Sequence, residues 1–352
     1  MLSIEHVVGL QSDMIRSNIA VTSSGDVIFP CSRYISIYNK QSNAQMLFRD
    51  HTTTLSCIAI SQDHHIAATA EKCSRPLIHV WCVGNCQLLR ILPLFHRRGV
   101  INLQFSSDRK HLLSVGADDD HSIALWHSPT SDWVDGSLQA TGKADVQPVL
   151  FASFYSNAGF IAASGGSCHV KFWTKDGRSI NPSYAEYPHR VKLGLLTCGT
   201  QVGSHFVTGS ASGNISVWKG RAFDRSFKAH ETFVSNIWSH ESVGAISVSK
   251  DGVLHQWSKA MEHVKSFSIA EADVAPILKG LQSIDVHLTS NADAVKQIIV
   301  TTVSAETYEI SAKSGNAYLL CEAHYVGELW GLASHPTDPY IFATVGDDKT
   351  IR

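Results

Sequence analysis

Alternating apolar and polar residues recur along the chain in short segments that end on an aromatic residue. Ile78–Trp81, Ile123–Trp126 and Ile215–Trp218 all show this pattern. The aromatic ends are about forty to fifty residues apart, and they are Tyr38, Trp81, Trp126, Trp173, Trp218, Trp257 and Tyr308. Alternation with a period of two residues indicates β-strands. The chain is therefore predicted to consist of repeated units of short strands.

Each unit contains several strands joined by polar turns. In the second unit, Leu55–Ile60 and Ile66–Ala70 precede the strand that ends at Trp81. The turn Ser61–Asp63 lies between the first two, as expected where polar side chains bond their own backbone. Four strands per unit at ~40–45 residues are typical of WD40-type β-propellers. We therefore predict an all-β fold in which residues 1–320 form seven four-stranded blades.

An eighth unit begins after the seventh and stops at Ile351 and Arg352, one step before an aromatic residue is due. An incomplete hairpin leaves strand hydrogen-bonding groups unpaired. We therefore expect residues 321–352 to be a truncated eighth repeat that begins a second propeller, and the chain to continue beyond it. The connections at about 175–195 and 259–286 are predicted to be surface loops, with a short helical turn around 270–273.

The composition is that of a folded globular protein, and the net charge does not indicate a strongly charged partner. The chain has 352 residues, of which 44% are apolar and 17% charged, and its formal net charge is −2. These values exclude a disordered or coiled-coil protein. No run of about 18 apolar residues predicts a membrane span, and the first residues do not resemble a secretory leader. The eight scattered cysteines indicate free thiols in a reducing compartment rather than a disulfide framework.

One repeat unit combines four side-chain types that WD40 blades often join by hydrogen bonds. By spacing these are His230, Ser247, Asp251 and Trp257. We predict that they form a structural blade network tying the strands of one blade together. Three of the four types recur in the eighth repeat, as His324, Thr344 and Asp348. The types also mimic a hydrolase triad, but their recurrence at the repeat period and the lack of a Gly-x-Ser-x-Gly motif favour the structural role.

Other chemical motifs are weak. Cys82 and Cys86 lack a second matching pair, and the nineteen histidines follow no spacing such as His-Glu-x-x-His. The consecutive carboxylates of Asp118–Asp120 alternate in direction, so they cannot all converge on one ion. Arg97 and Arg98 could contact an acidic partner, although such a pair is more often solvated. We predict no catalytic residues, no metal and no cofactor.

Several segments beyond the bare repeat match, in order, those of a known family. Ile4–Leu10 is similar to that family's Leu-Glu-Trp-Val-Tyr-Gly-Tyr, with His6 in place of the tryptophan. Gly213–Gly220 matches its fifth unit, and Gly327–Pro336 is similar to Gly-Glu-Leu-Trp-x-Leu-Ala-x-His-Pro. These segments resemble the echinoderm microtubule-associated protein-like family, whose members carry two linked, atypical WD propellers. The family's preceding hydrophobic motif and its coiled coil have no counterpart in this sequence.

The resemblance implies a non-enzymatic scaffold that associates with tubulin, microtubules or axonemal proteins. It implies a location in the cytoplasm and cytoskeleton, or in a ciliary or flagellar axoneme, with no nucleic-acid or membrane partner. Two alternatives stay open: a generic WD40 adaptor in a non-cytoskeletal complex, and a propeller enzyme with a pocket over the channel. The predicted inner strands Leu55–Ile60 and Ile101–Phe105 are apolar or small polar, which disfavours the enzyme.

Overall fold

The strands pair with their neighbours in chain order to form seven blades and one further hairpin. The structure, a computed structural model, describes residues 4, 6–7, 9–10, 18–289, 291, 294–325, 327–338 and 341–352. Two residues of the matched N-terminal segment, Glu5 and Val8, lie outside the described residues. Within each blade the four strands form an antiparallel meander, ordered from the central channel outward.

The strand bounds follow the predicted repeat. Blades 1 and 2 contain β1 (Ala20–Val21), β2 (Val27–Cys31), β3 (Tyr34–Asn39), β4 (Ala44–Phe48), β5 (Leu55–Ile60), β6 (Ile66–Glu71), β7 (Ile78–Cys82) and β8 (Gln87–Leu92). Blades 3 and 4 contain β9 (Val100–Phe105), β10 (His111–Gly116), β11 (Ser122–His127), β12 (Ser137–Lys143), β13 (Val149–Asn157), β14 (Phe160–Gly166), β15 (Val170–Asp176) and β16 (Ser179–Tyr184).

The second half of the ring continues the same order. Blades 5 and 6 contain β17 (Leu196–Val202), β18 (His205–Ser210), β19 (Asn214–Lys219), β20 (Ala222–Lys228), β21 (Val234–His240), β22 (Gly244–Ser249), β23 (Val253–Trp257) and β24 (His263–Ser268). Blade 7 contains β25 (Leu281–Leu288), β26 (Val295–Thr302), β27 (Glu306–Ser311) and β28 (Ala317–Glu322). The hairpin that follows contains β29 (Leu329–Ser334) and β30 (Phe342–Gly346). The predicted all-β propeller of seven four-stranded blades is thus confirmed.

A separate hydrophobic cluster fills each of the seven interfaces between neighbouring blades. Because both faces of a blade are covered, its middle strands are buried along their length, as in β6 and β22. The aromatic strand ends belong to these clusters. Trp81, for example, stacks on Phe48 of the preceding blade with ring centroids 4.7 Å apart. Each blade therefore depends on its neighbours for burial, as in other repeat arrays.

The ring closes between blades 7 and 1 without exchange of a strand, because each of these blades is built from four consecutive strands. Asp285 on β25 accepts a hydrogen bond from the Val21 backbone N–H across the junction (2.7 Å). Thr301 donates to the Asn18 side chain (2.8 Å). A cluster that includes Val27 and Ile299 packs beside these bonds. Polar bonds and apolar packing together close the ring.

The prediction of surface loops at 175–195 and 259–286 is wrong in part. β16, β24 and the start of β25 lie within those limits. The outer strands β16 and β24 are exposed along much of their length, so they lack the apolar alternation that marks inner strands. Around residue 270 the chain makes a turn in which the Ala272 N–H donates to the Ile269 carbonyl (3.2 Å), and it does not form a helix.

The hairpin after blade 7 is largely exposed. Trp330 and Leu332 on β29 are 72% and 76% exposed, in contrast to the buried strands of the ring. Beyond β30, Ile351 pairs with Val345 in an isolated bridge, as a third strand of the same sheet would. The described part of the chain contains no helix that could cross a bilayer.

Candidate functional site

The structure brings the four predicted residues of blade 6 into one place, with unequal contacts. Trp257 donates its indole N–H to Ser247 (2.9 Å), and the Ser247 oxygen lies 2.7 Å from His230 Nε2. Because that hydroxyl already accepts from the indole, its own proton is available to His230. Asp251 lies 3.7 Å from His230 Nδ1 and accepts instead from the backbone N–H groups of Glu231 (3.2 Å) and Val253 (2.9 Å).

The burial of this cluster bears on the triad interpretation. The Ser247 side chain is fully buried, and both of its hydrogen-bond partners, His230 and Trp257, belong to the same blade. A nucleophilic serine must reach a substrate carbonyl. The geometry of the cluster is therefore that of a bond between strands rather than of a reactive group.

Blades 2 and 3 contain equivalent networks that sequence reasoning missed. In blade 3, Trp126 donates to Ser114 (2.8 Å), whose oxygen lies 2.6 Å from His96 Nε2. In blade 2, the Trp81 indole donates to Thr69 (3.1 Å), whose oxygen lies 2.6 Å from His51 Nε2. The sequence pattern that marks both networks is a histidine 18 residues before the hydroxyl residue and a tryptophan 12 residues after it. In blade 6 the histidine stands 17 residues before the hydroxyl residue and the tryptophan 10 residues after it.

Blades 4 and 5 keep only part of the network. Trp173 donates to Ser164 (2.9 Å) in blade 4, and Trp218 donates to Thr208 (3.0 Å) in blade 5. The hairpin keeps the contacts of the histidine with a hydroxyl and an aspartate. His324 lies 3.0 Å from the Thr344 oxygen through Nε2 and 2.8 Å from the Asp348 carboxylate through Nδ1.

Burial controls the ionisation of the network histidines. It lowers the pKa of His96 to about 4, against a smaller opposing effect of the Asp118 carboxylate. Burial likewise lowers the pKa of His51 and of His230 to about 4. These imidazoles are therefore neutral at pH 7, which suits a ring that accepts a proton from a hydroxyl. In the hairpin, bonds from His324 and Thr350 outweigh burial and lower the pKa of Asp348 to about 2.

The central channel encloses about 830 Å³ and is lined by the inner strands of the blades. Its buried carboxylate, Asp285, and the imidazole of His64 both bind the backbone of Val21, at 2.7 and 2.5 Å. Desolvation raises the pKa of Asp285 above its ordinary value. His240, which also lines the channel, lies 3.2 Å from the Gln62 amide. These groups contact the channel wall, so they are arranged as structural bonds and not as an acid–base pair.

The three carboxylates of Asp118–Asp120 contact three different partners. Asp118 accepts from the Ser122 backbone N–H (2.8 Å), Asp119 pairs with Arg98, and Asp120 lies 2.8 Å from the Lys143 ammonium. The three carboxylates therefore diverge, as the alternation of consecutive residues predicts. Cys82 and Cys86 are free thiols.

Four exposed basic residues lie on two neighbouring loops at one rim of the propeller, and we name this group the basic rim: Lys72, Arg75, Arg97 and Arg98. In an antiparallel meander the turn between the second and third strands and the connection to the next blade emerge at the same end. The turn after β6 and the connection after β8 are accordingly joined, with the Arg98 N–H donating to the Ser74 carbonyl (3.4 Å).

The charge of the basic rim is only partly neutralised. All four side chains are exposed, and Arg98 pairs with Asp119. Within the described part of the chain, Lys72, Arg75 and Arg97 have no ion-pair partner. The protein's net charge is near zero, and these cations lie on the same rim as Asp118–Asp120, which follow β10 in the next blade.

The fold and its indole–hydroxyl bonds define a WD-repeat β-propeller. The family model described as the echinoderm microtubule-associated protein first beta-propeller matches residues 44–306, and the WD domain, G-beta repeat model matches residues 317–352. The chain therefore belongs to the echinoderm microtubule-associated protein family, and the resemblance seen in the sequence is confirmed.

Curated relatives match over nearly all of this chain at low identity. Echinoderm microtubule-associated protein-like 1 of Mus musculus is 24% identical over 99% of the chain and 42% of its own length. Echinoderm microtubule-associated protein-like 2 of Homo sapiens is 25% identical over 100% of the chain and 54% of its own length. The 77 kDa echinoderm microtubule-associated protein of Strongylocentrotus purpuratus is 24% identical over 99% of the chain and 50% of its own length. The chain thus spans about half the length of these relatives.

A solved structure supports the architecture. The crystal structure of the computationally designed Ika8 protein superposes with a TM-score of 0.58 and 18% identity, covering 99% of this chain and 98% of that one. At this identity the likeness concerns the fold alone.

Proposed function

We propose that this protein is a non-enzymatic propeller scaffold that associates with tubulin or microtubules. The observation that carries the proposal is the family match over residues 44–306, together with relatives whose names describe them as microtubule-associated. The corresponding location is the cytoplasm and cytoskeleton, and the proposal extends to ciliary or flagellar axonemes. A rigid ring of loops suits protein recognition.

We further propose the basic rim as the surface that meets tubulin. Tubulin presents acidic tails, and exposed cations attract acidic segments through an interaction that salt weakens. Lys72, Arg75 and Arg97 satisfy this requirement because they are exposed and lack internal ion pairs among the described residues.

The direct test is co-sedimentation of the purified chain with polymerised tubulin, with a parallel pull-down on soluble tubulin. We expect association with at least one form, weakening as salt is raised. Binding to neither form at low salt would contradict the microtubule proposal and would favour the generic WD40 adaptor. Binding to only one form would identify whether the lattice or the free dimer is the partner.

We also propose that residues 321–352 begin a second propeller after the ring of residues 1–320. The support is the exposed apolar side of β29 and the start of a third strand at Ile351. A chain cut after Tyr325 should then keep the melting midpoint of the ring, because the hairpin adds little burial to it. A chain cut after Ser304 should unfold, because it loses β27 and β28. A large loss of stability in the first truncation would place the hairpin within the ring instead.

A further inference from the structure

Three potential metal ligands converge inside blade 2. His51 precedes β5, Glu71 ends β6, and His79 lies on β7. One donor atom from each side chain lies within 4.8 Å of the other two, and each residue is only 2% exposed. Two imidazoles and one carboxylate are a ligand set that zinc adopts when a fourth position holds water or another ligand.

His79 is not explained by the blade network. Both of its ring nitrogens are buried and have no hydrogen-bond partner. Leaving a polar group in this state costs about 1–3 kcal/mol. The corresponding residue of blade 6 is His255, which also stands two positions before the blade tryptophan, and its Nδ1 lies 2.8 Å from Ser266. The repeat thus accommodates a histidine here with a partner, whereas blade 2 provides none within the protein.

The protonation states of His51, His79 and Glu71 are compatible with binding a cation. Burial lowers the pKa of His51 to about 4 and also lowers the pKa of His79. Burial raises the pKa of Glu71, but bonds from the Thr52 N–H and from His51 outweigh it, so the net shift is downward. At neutral pH the cluster therefore holds two neutral imidazoles and one carboxylate, and metal binding requires that protonation state.

We propose that His51, Glu71 and His79 bind one divalent first-row transition-metal ion, with Zn²⁺ as the occupant. Imidazole and carboxylate ligands suit this class of ion, and Zn²⁺ binds such sites more tightly than Co²⁺. His51 would bind through Nδ1, which now lies 3.3 Å from Glu71. This requires the tautomer that carries its proton on Nε2, so the Nε2–H would donate to Thr69 (2.6 Å) instead of accepting from it.

Metal binding requires one local rearrangement. The His51 and His79 rings are stacked, with centroids 4.0 Å apart and an interplanar angle of 10°. A metal ion lies near the plane of each imidazole that binds it, so one ring must tilt relative to the other. The bound ion would then hold the loop before β5 against β6 and β7, next to the basic rim.

Cobalt provides the test because its visible spectrum reports coordination. The full chain, stripped with a chelator, is titrated with Co²⁺ and then with Zn²⁺. We expect one equivalent of Co²⁺ to give the intense visible absorption of a four-coordinate ion, and Zn²⁺ to abolish it. His79→Phe keeps a buried ring and removes the ligand. Loss of an outer partner alone weakens metal affinity by about 10–100-fold, so this variant should lose at least that much.

His255→Phe is the matched control, because it makes the same change at the equivalent position of blade 6. It should bind Co²⁺ like the unaltered chain. Glu71→Gln supplies a second test if His79→Phe does not fold, as judged by circular dichroism, and it too should lose the spectrum. The proposal is overturned if the unaltered chain gives no such spectrum, if a folded His79→Phe or Glu71→Gln variant keeps it, or if His255→Phe loses it equally.

Discussion

Single polar side chains bind the strands of this propeller together inside an otherwise apolar interior. Ser114, Thr69 and Ser247 are fully buried, and each accepts an indole N–H while facing an imidazole. The sequence predicted this arrangement in blade 6, where all four residue types are present. It missed blade 2, where Glu71 takes the place of the aspartate contact. It also missed blade 3, where Asp118 stands at the expected position but Ser122 makes the contact to His96, because the spacing from histidine to hydroxyl to tryptophan is longer there. Only the fold shows that these substitutes lie within reach.

Removing the central hydroxyl of one network should destabilise the ring. Ser114→Ala leaves the Trp126 indole N–H and His96 Nε2 without their partner in a buried site. We expect a loss of about 1–3 kcal/mol in the free energy of unfolding, measured by urea denaturation. Ser107→Ala, on an exposed turn of the same blade, should change it by no more than about 0.5 kcal/mol. Equal effects of the two changes would contradict a stabilising role.

Acid should weaken the protein through its buried histidines. The pKa of His51, His96 and His230 is about 4 in the folded state and about 6.5 when unfolded. Between these values the unfolded chain binds more protons, so stability falls as pH falls through that window. Each histidine contributes about 1.4 kcal/mol per pH unit there. Thermal melts from pH 7 to pH 5 check this slope, and His96→Gln should make it shallower. A melting temperature independent of pH would contradict it.

The aromatic strand ends in the sequence correctly predicted the third strand of each blade. The outer strands β16 and β24 were less predictable, because they face solvent and tolerate Ser, Asn, Pro and Lys. The ring junction was also beyond the sequence. Asp285 and Val21 are 264 residues apart, and no local pattern links them.

The junction between blades 7 and 1 should depend on its buried carboxylate. Asp285→Ala removes the acceptor of the Val21 N–H and leaves that donor buried. We expect destabilisation by about 1–3 kcal/mol, measured by chemical denaturation. The matched change Asp176→Ala, at an exposed strand end, should be close to neutral. If Asp285→Ala were equally neutral, packing alone would close the ring.

The fold brings basic residues from two loops of a nearly neutral chain onto one rim of the ring. The sequence identified Arg97 and Arg98 but gave no reason to join them to Lys72 and Arg75. The connection comes from two neighbouring loops that share the Arg98–Ser74 backbone bond (3.4 Å). The family match gives this surface a proposed partner, and complementary charge would act mainly on the rate and salt dependence of that encounter.

Reversing charge on the basic rim is the most direct test of tubulin recognition, measured by co-sedimentation with polymerised tubulin and by pull-down of soluble tubulin across a salt series. The variant combines Lys72→Glu and Arg97→Glu, and its control combines Lys110→Glu and Arg178→Glu on the opposite rim, where both residues are also exposed. We expect the first variant to lose most of its tubulin binding and its salt dependence, and the control to bind like the unaltered chain. Undiminished binding by a folded Lys72→Glu, Arg97→Glu variant, or equal loss in both variants, would contradict tubulin recognition through the basic rim.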